Sequence, residues 1–477
     1  MKSLDEIESL IRQGEVAQAS QELSRQSLSS LQRKHYAQFA NLARRAGAPQ
    51  LSLRLLTPIV RPDVPRAKPA SLKEKSEYAM ALSRVGAHSE ALRILESIPA
   101  DAEVESLLYR ALCHFLDWNY EPAIPLLRKY SEAIKDPYQR LVGQVNLAAA
   151  YVSEGHSSEA EALLPQLLKE TKRQNLMRLY GNANELTAQL ELDRGNFKQA
   201  RASIERATSV LRSAGSLDLF YVRKWDAIIE AYARENMKPL KALRQEAVNL
   251  GSWETVRDCD FKIAKVNEDH ALFLKVYFGT GAPGFKRRIE KEVGTQNIPE
   301  TYTWTRDSIS DAEPLFDIAA GKCKSKALRR GFALHRILTA LTSDLYRPFA
   351  PATLFDKVFS DENYSFFRSP ARVQQLVFRL REWLTAANVP LAITEHAGLY
   401  RVVPGARIGL VKHKDAPVET ALGLRLQQVR ARFGASAFTL KQFQLELQVS
   451  KRQSIRLIQK ACADGLVTAE GRAFKLK

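Results

Sequence analysis

A stripe of basic residues near residue 450 has the spacing and the chemistry of a phosphate-binding surface. Arg452, Arg456 and Lys460 are four residues apart, so a helix would place all three on one face. Like charges at this spacing repel by roughly 0.2–0.5 kcal/mol per pair, and the negative backbone of a nucleic acid would offset that repulsion. Lys451 and Gln453 fall in the first turn, where guanidinium, ammonium and amide groups could also read base edges. The pattern favours a nucleic-acid contact over the alternative, a solvated charged face.

The helix that carries the stripe has clear predicted ends. Ser450 is a good N-cap, and the helix should run to about Asp464, before Gly465 ends it. One face should pack on the preceding helices, and it consists of Ser454, Ile455, Ile458, Ala461 and Cys462. The basic stripe lies on the opposite face.

The neighbouring segments predict a small unit around this helix. Two helices are expected before it, at residues 422–434 and 438–448, and a hairpin that turns at Glu470-Gly471 is expected after it. This order, with the "GLV" exit from the third helix, resembles the winged helix-turn-helix of bacterial transcription regulators. The resemblance implies that the third helix enters the major groove of DNA. The residues it assigns to that contact are Lys451, Arg452, Gln453 and Arg456, with Lys460 on the same stripe and Arg472 and Lys475 on the wing.

A second candidate surface lies on a helix predicted at residues 369–388. The core-spaced apolar residues are Val373, Leu376, Val377, Leu380 and Leu384. At 100° per residue, the outer face consists of Gln374, Gln375, Phe378 and Glu382, flanked by Arg372, Arg379 and Arg381. The amide and guanidinium groups of this face predict contacts with bases and phosphates.

Residues 302–403 around this helix show an order of short strands, three helices and a hairpin. With "FRLREWL" in the third helix and "GLYRV" in the hairpin, they resemble the OmpR-type winged helix of response regulators. The resemblance implies DNA binding by the third helix and the hairpin. Phe378 departs from a position that is usually polar in that family, and His396 replaces the usual wing arginine. Phe378 could contact a thymine methyl group, or it could pack on a neighbouring domain.

The net charge of +18 is concentrated in the C-terminal third. Residues 322–477 carry 27 Lys and Arg against 11 Asp and Glu, whereas residues 1–321 carry 44 against 42. The excess therefore favours an anionic partner for the C-terminal third, and double-stranded DNA is the partner that we expect.

The N-terminal half contains a repeat of about 36 residues. A turn residue followed five residues later by a small one recurs at Gly14/Ala19, Gly47/Ser52, Gly86/Ala91, Trp118/Ala123, Gly155/Ala160 and Gly195/Ala200. Small or aliphatic residues precede each turn by seven positions at Ile7, Ala40, Ala79, Ala111, Ala148 and Ala188, and aliphatic residues follow it by nine at Leu23, Leu56, Leu95, Leu127, Leu164 and Ile204. The spacing predicts helical hairpins that stack.

The hairpins resemble the tetratricopeptide repeat, best in "YAMALSRVGAHSEALRILESIP" and "AQLELDRGNFKQARASIERA". The resemblance covers about residues 1–275, with a degenerate seventh unit near residues 228–247. It implies a superhelix whose concave groove holds a protein or peptide partner. A looser helical-hairpin family is the alternative, and the sequence does not identify the groove residues.

Other signals exclude several function classes. The four cysteines have no ligand spacing and indicate reduced thiols, and no apolar run approaches the roughly 18 residues of a membrane span. The start, "MKSLDEIESLIRQG", predicts an amphipathic helix without the apolar core of a signal peptide. "GTGAPGFKRR" at residues 279–288 resembles a phosphate loop, but Phe285 follows its last Gly where Lys is needed. We therefore expect a cytoplasmic protein with no enzyme activity, no cofactor and no metal.

These observations predict a mainly α protein: a superhelix of α-helical hairpins followed by two small α+β winged-helix domains. The expected divisions are a repeat domain at 1–278, a linker at 279–299, an OmpR-type domain at 300–404, a linker at 405–420 and a second winged helix at 421–477. The predicted function is a bacterial DNA-binding regulator whose repeats dock a partner. An assembly scaffold that uses its winged helices for protein contacts, or a protein that binds RNA, is the alternative.

Overall fold

A computed structural model describes most of the chain. The described ranges are 2–12, 15–62, 68–213, 218–306, 313–323, 326–360, 362–405, 408–414, 421–471 and 473–477. Gly14 and Arg472, which the sequence analysis singled out, lie outside these residues.

The repeat array is a series of helix pairs, each joined by a short turn. The pairs are α1 (Leu4–Arg12) with α2 (Val16–Ser24), α3 (Tyr36–Arg45) with α4 (Pro49–Val60), α5 (Leu72–Val85) with α6 (His88–Glu96), α7 (Glu105–Leu116) with α8 (Ala123–Ala133), α9 (Pro137–Glu154) with α10 (Ser157–Arg173), α11 (Met177–Asp193) with α12 (Phe197–Ser213), α13 (Leu219–Arg234) with α14 (Lys238–Asn249), and α15 (Trp253–Val266) with α16 (His270–Gly279). The last pair is an additional unit beyond the seven that the spacing indicated.

The predicted repeat positions are confirmed as the core of this array. The turn residues within the pairs adopt positive φ, the region that glycine enters without steric cost, and they are Gly47, Gly86, Trp118, Gly155 and Gly195. The small and aliphatic positions around them are at most 2% exposed, and they are Ile7, Ala19, Leu23, Ala40, Ser52, Leu56, Ala79, Ala91, Leu95, Ala111, Ala123, Leu127, Ala148, Ala160, Leu164, Ala188, Ala200 and Ile204. Small side chains therefore lie where the helices cross closely.

The sheet unit, residues 301–413, follows the repeat array and a connecting helix, α17 (Pro283–Val293). Its elements are β1 (Thr301–Trp304), β2 (Glu313–Asp317), β3 (Lys322–Cys323), β4 (Lys326–Ala327), α18 (Ala333–Thr342), α19 (Pro351–Val358), α20 (Ser369–Ala386), β5 (Leu391–His396), β6 (Leu399–Pro404) and β7 (Ile408–His413). One sheet has the order β1-β7-β2-β3-β4, and β5 with β6 forms a separate hairpin. Ala397 and Gly398 both have positive φ at the hairpin turn, as a two-residue type I′ turn requires.

The terminal unit, residues 421–477, has a core of its own. Its elements are α21 (Ala421–Phe433), β8 (Phe438–Thr439), α22 (Leu440–Leu447), α23 (Lys451–Ala463), β9 (Val467–Glu470) and β10 (Ala473–Leu476). The strands form a sheet of order β8-β10-β9. Thr439 caps α22 through a capping box with Gln442, and the stacked rings of Phe438 and Phe443, 5.8 Å apart, lie in the core. The unit is thus three helices and a hairpin, as the sequence predicted.

The two predicted linkers are partly regular structure, which corrects the prediction. In 279–299, Pro283 opens helix α17, and the fully buried Phe285 and Ile289 lie one turn apart on its inner face. In 405–420, residues 408–413 form β7, which pairs with both β1 and β2. The Gly and Pro residues in these segments indicated loops, but packing with distant parts of the chain decided their structure.

The repeat array and the sheet unit share one hydrophobic core that extends from Ala40 to Leu410. Phe278 of α16 stacks on Tyr302 of β1, with ring centroids 5.0 Å apart. At the third hairpin of the array, the Asp356 carboxylate of α19 accepts hydrogen bonds from the backbone N–H groups of Ser89 and Glu90, at 2.9 and 3.3 Å. Asp356 thereby caps the N-terminus of α6, whose own N-cap residue makes no side-chain bond. The sheet unit thus bridges the sixth and the last helices of the array.

Candidate functional site

Helix α23 has the cap and the end that its sequence predicted. The Ser450 hydroxyl accepts the Gln453 N–H at 3.2 Å, the helix runs from Lys451 to Ala463, and Gly465 follows with a φ of 69°. The buried face consists of Ser454, Leu457, Ile458 and Ala461. The assignment of Ile455 to the core was wrong, because the inner face follows positions three and four residues after Ser454 and leaves Ile455 38% exposed.

The outer face of α23 presents its basic residues to solvent. Lys451, Arg452 and Arg456 are exposed, and Gln453 and Lys460 are half-buried beside them. Lys475 is exposed on β10. The structure therefore brings the described members of the predicted basic surface together on one unit.

A second group of cations extends this surface toward the sheet unit. Burial of Arg425 on α21 lowers its pKa, and the nearby charges of Arg329 and Arg456 lower it further. Arg329, which precedes α18, and Arg425 both lie over the ring of Phe332, at 3.8 and 5.7 Å. Three arginines from three segments thus lie close together without neutralising one another, which is an arrangement that attracts an anion.

Helix α20 buries the predicted core residues and exposes the predicted outer face. Val373, Leu376, Val377, Leu380 and Leu384 are buried, and Gln374, Gln375, Phe378, Arg379 and Glu382 are exposed. Phe378 is 59% exposed, so most of its ring is free of contacts with the rest of the described chain. His396 is exposed at the end of β5, beside the hairpin turn.

Two predicted contact residues of α20 are engaged within the protein. Arg372 forms an ion pair with Glu362 at 2.7 Å and lies 4.1 Å from the ring centre of Phe359. Arg381 donates two hydrogen bonds to the carbonyl oxygen of Ile393, at 3.0 and 2.7 Å. Arg381 therefore positions the β5–β6 hairpin against α20, and both arginines act as supports of the surface.

A cavity of about 470 Å³, the interior cavity, lies between the first helices of successive hairpins and is partly open to solvent. Helices α9, α11, α13 and α15 contribute to its wall, together with the turn after α7. Polar residues recur on this wall at intervals of 36 positions, and they are Asn146, Asn182, Asp218 and Glu254. The side-chain oxygen of Asn182 is buried and has no hydrogen-bond donor among the described residues. A ligand that donates hydrogen bonds would satisfy it.

Charged groups line the interior cavity beside aromatic rings. Lys224 donates a hydrogen bond to Asp258 at 2.8 Å, and Arg288 lies 3.5 Å from the same carboxylate. Burial raises the pKa of Asp258, but Lys224, Arg288 and Lys262 outweigh burial and hold it at about 2. Burial raises the pKa of Glu185 to about 7, although Lys224 lowers it. The cavity therefore contains a carboxyl group that changes charge near neutral pH.

The cavity wall is directly bonded to the sheet unit. Glu254 accepts hydrogen bonds from the Trp118 indole N–H at 2.6 Å and from Arg257 at 2.9 Å. Arg257 is 1% exposed and bonds Asp344, which follows α18, at 2.5 Å. Asp344 also lies 3.4 Å from Arg347. A ligand that contacts Glu254 or Trp118 would therefore touch the ion pairs that hold the two parts together.

The sequence analysis did not name these cavity residues. Their 36-residue interval is close to the mean repeat length, so it was a usable signal for polar residues that line one side of successive helices. In the part of the chain that the structure describes, no three His, Cys, Asp or Glu side chains form a group that could hold a metal ion. Within the same ranges, every helix is too short or too polar to span a bilayer.

No family model and no curated protein matches the chain. Solved structures that are similar to it include two with low TM-scores. One is the crystal structure of a Rap protein complexed with competence and sporulation factor, which is 14% identical with a TM-score of 0.33, and the match covers 61% of this chain and 85% of that one. The other is the C-terminal part of a TPR repeat-containing protein from Cytophaga hutchinsonii, which is 16% identical with a TM-score of 0.29, and the match covers 56% of this chain and 98% of that one. The description of this chain as a helical repeat array rests on the helix pairs and their buried positions.

Proposed function

We propose that this protein is a DNA-binding regulator whose sheet unit and terminal unit act as winged helices, and whose repeat array holds a peptide partner. The observation that carries the proposal is the exposed basic face of α23, which continues through Arg425 to Arg329 of the sheet unit. A surface of this kind gains affinity for a duplex because neutralised phosphates release counterions.

The arrangement of both units supports this proposal over an assembly scaffold. In each unit the third helix, α20 or α23, buries one side and exposes the other, and a hairpin follows it directly in the chain. A winged helix that serves assembly has no need for a net charge of +16 over residues 322–477. Duplex DNA is the partner that this charge and shape fit best.

Binding of the intact chain to nucleic acid tests the DNA proposal. Fluorescence anisotropy measures the affinity of the protein for a labelled 30-base-pair duplex and for a structured RNA of equal charge. The double variant Arg452→Ala/Arg456→Ala should bind the duplex roughly a hundredfold more weakly or worse, because each of the two lost charge-assisted bonds is worth about 1.5–3 kcal/mol. Arg212→Ala, which removes an exposed arginine from the repeat array, is the matched control. Tighter binding of the RNA, or no binding of either, would contradict the proposal.

The interior cavity supports the peptide part of the proposal. Asn146 and Asn182 can bond a peptide backbone, and Trp118, Tyr221 and Trp225 supply apolar surface for side chains. A thermal-shift screen of defined pentapeptides should find sequences that raise the melting temperature. That increase should be lost in Asn182→Ala and kept in Gln245→Ala, whose side chain bonds only Asn249 on α14. A screen without hits, or hits that Asn182→Ala binds equally well, would argue against this use of the cavity.

A further inference from the structure

A second, smaller cavity lies beside the interior cavity and is lined by cations. This basic chamber has a volume of about 180 Å³, and its cations are Lys262, Lys265, Arg287, Arg288 and Lys291. Helices α15 and α17 supply all five of them. The acidic residues on the same wall are Glu154, Asp193 and Glu292.

Most of these cations have a direct carboxylate partner, but one ammonium group has none. Lys265 bonds Glu292 at 2.7 Å, Lys291 lies 3.7 Å from Glu154, and Arg288 pairs with Asp258 toward the interior cavity. Lys262 is only 3% exposed, yet among the described residues its ammonium has no hydrogen-bond acceptor and no ion pair. The carboxylates of Asp258 and Asp193 offset part of its charge from a distance, but neither accepts a hydrogen bond from it, so the site favours a ligand that supplies an acceptor.

Aromatic rings hold Lys262 in place. Its ammonium lies 5.2, 5.7 and 5.8 Å from the ring centres of Trp225, Tyr232 and Phe261. Cation–π contacts of this kind fix the position of the ammonium but leave its N–H donors unused. The group is therefore preorganised to donate hydrogen bonds into the chamber.

We propose that the basic chamber binds a small oxyanion, a phosphate or a carboxylate group, whose oxygens accept hydrogen bonds from Lys262. Arg287 at the chamber wall and Arg288 between the two cavities add positive charge around the anion. The volume holds one such group with part of the molecule that carries it. This site does not depend on the proposed binding of DNA or peptide.

The pH dependence of binding follows from the surroundings of Lys262. Burial lowers the pKa of Lys262 to about 8, and Arg288 and Lys265 lower it, while Asp258 and Asp193 raise it. The ammonium loses its proton as pH rises through this value, so anion affinity should fall above about pH 8. Phosphate gains negative charge as the pH rises, so its own titration cannot cause a fall.

Thermal-shift and calorimetric titrations of the intact protein test the site. Inorganic phosphate and acetate are the two probes, and sodium chloride at matched ionic strength controls for screening. At least one probe should raise the melting temperature above the chloride control, and Lys262→Met should weaken its binding about ten- to hundredfold. Lys241→Met, which removes an exposed lysine from α14, should leave the affinity unchanged.

The outcomes distinguish a phosphorylated ligand from a carboxylate, and they decide whether the basic chamber binds an anion through Lys262. A larger effect of phosphate identifies a phosphorylated ligand, and a larger effect of acetate identifies a carboxylate. If Lys262→Met does not fold, Arg287→Gln at the exposed rim should still weaken binding severalfold. The proposal would be overturned if neither probe raised the melting temperature above the chloride control. It would also be overturned if the folded variant bound the anion with the same affinity as the wild type.

Discussion

The buried ion pair between Arg257 and Asp344 should be a main stabilising link between the repeat array and the sheet unit. Their side chains are 1% and 3% exposed, and Asp344 also accepts the backbone N–H of Tyr346 at 3.0 Å. Asp344→Asn would leave the Arg257 charge buried with one remaining partner, Glu254. Loss of one partner from a buried pair lowers the free energy of unfolding by roughly 3–5 kcal/mol. Because Glu254 still pairs with Arg257 in this variant, we expect a loss near the lower end of that range.

Urea unfolding followed by tryptophan fluorescence measures this cost. Glu246→Gln is the matched control, because Glu246 pairs with Arg223 at 2.6 Å while both side chains are exposed, 37% and 50%. Exposed pairs contribute about 0–1 kcal/mol, so the control should barely move the unfolding midpoint. If Asp344→Asn and Glu246→Gln shift the midpoint equally, the link between the two parts carries no special stability and our reasoning is wrong.

Three further predictions concern the proposed functions. Arg456→Ala should reduce the slope of log affinity for duplex DNA against log salt by about 0.9 without lowering the melting temperature; an unchanged slope would remove Arg456 from the interface. Phe378→Ala should keep the melting temperature, because the ring is 59% exposed, and should weaken cognate DNA by about 1–3 kcal/mol if it contacts a thymine methyl; a loss of several degrees would instead assign it to packing. Burial raises the pKa of Glu185 from 4.5 to about 7, so the stabilising effect of its protonation is present at low pH and lost as pH rises through 7. Glu185→Gln should therefore raise the melting temperature more at pH 8 than at pH 5. An equal change of the melting temperature at both pH values would contradict the shift of the pKa.

The sequence predicted the repeat array well because its evidence is periodic and local. Gly86, Gly155 and Gly195 mark turns of one geometry, and the small residues around them recur at fixed distances. The caps at Thr439 and Ser450 were equally readable, since a cap depends on residues three positions away.

The elements that the sequence missed depend on distant partners. Strand β7 exists because it pairs with β1, about 110 residues earlier, and no local pattern encodes that pairing. Arg372 was assigned to the outer face by its position, but its ion pair with Glu362 depends on the loop before α20. The cavity residues were missed for a different reason: their periodicity was present, but groove and core positions share the same helices.

The cap that Asp356 provides for α6 limits how this protein can evolve. Most solenoids are open-ended, so they can gain or lose a repeat while each unit still contacts its neighbours. Here α19 reaches α6, while Arg257 of α15 bonds Asp344 just after α18, so the helices between α6 and α15 form a closed ring. An inserted or deleted hairpin within that ring would separate Asp356 from Ser89, or Asp344 from Arg257. The number of units between those helices is therefore fixed by geometry. Arg61, just after α4, also donates a hydrogen bond to the Tyr364 carbonyl of the sheet unit at 3.0 Å, and Arg54 of α4 lies 5.7 Å from the ring centre of Phe366. Variation in repeat number among descendants should therefore be confined to the first hairpin, α1 and α2.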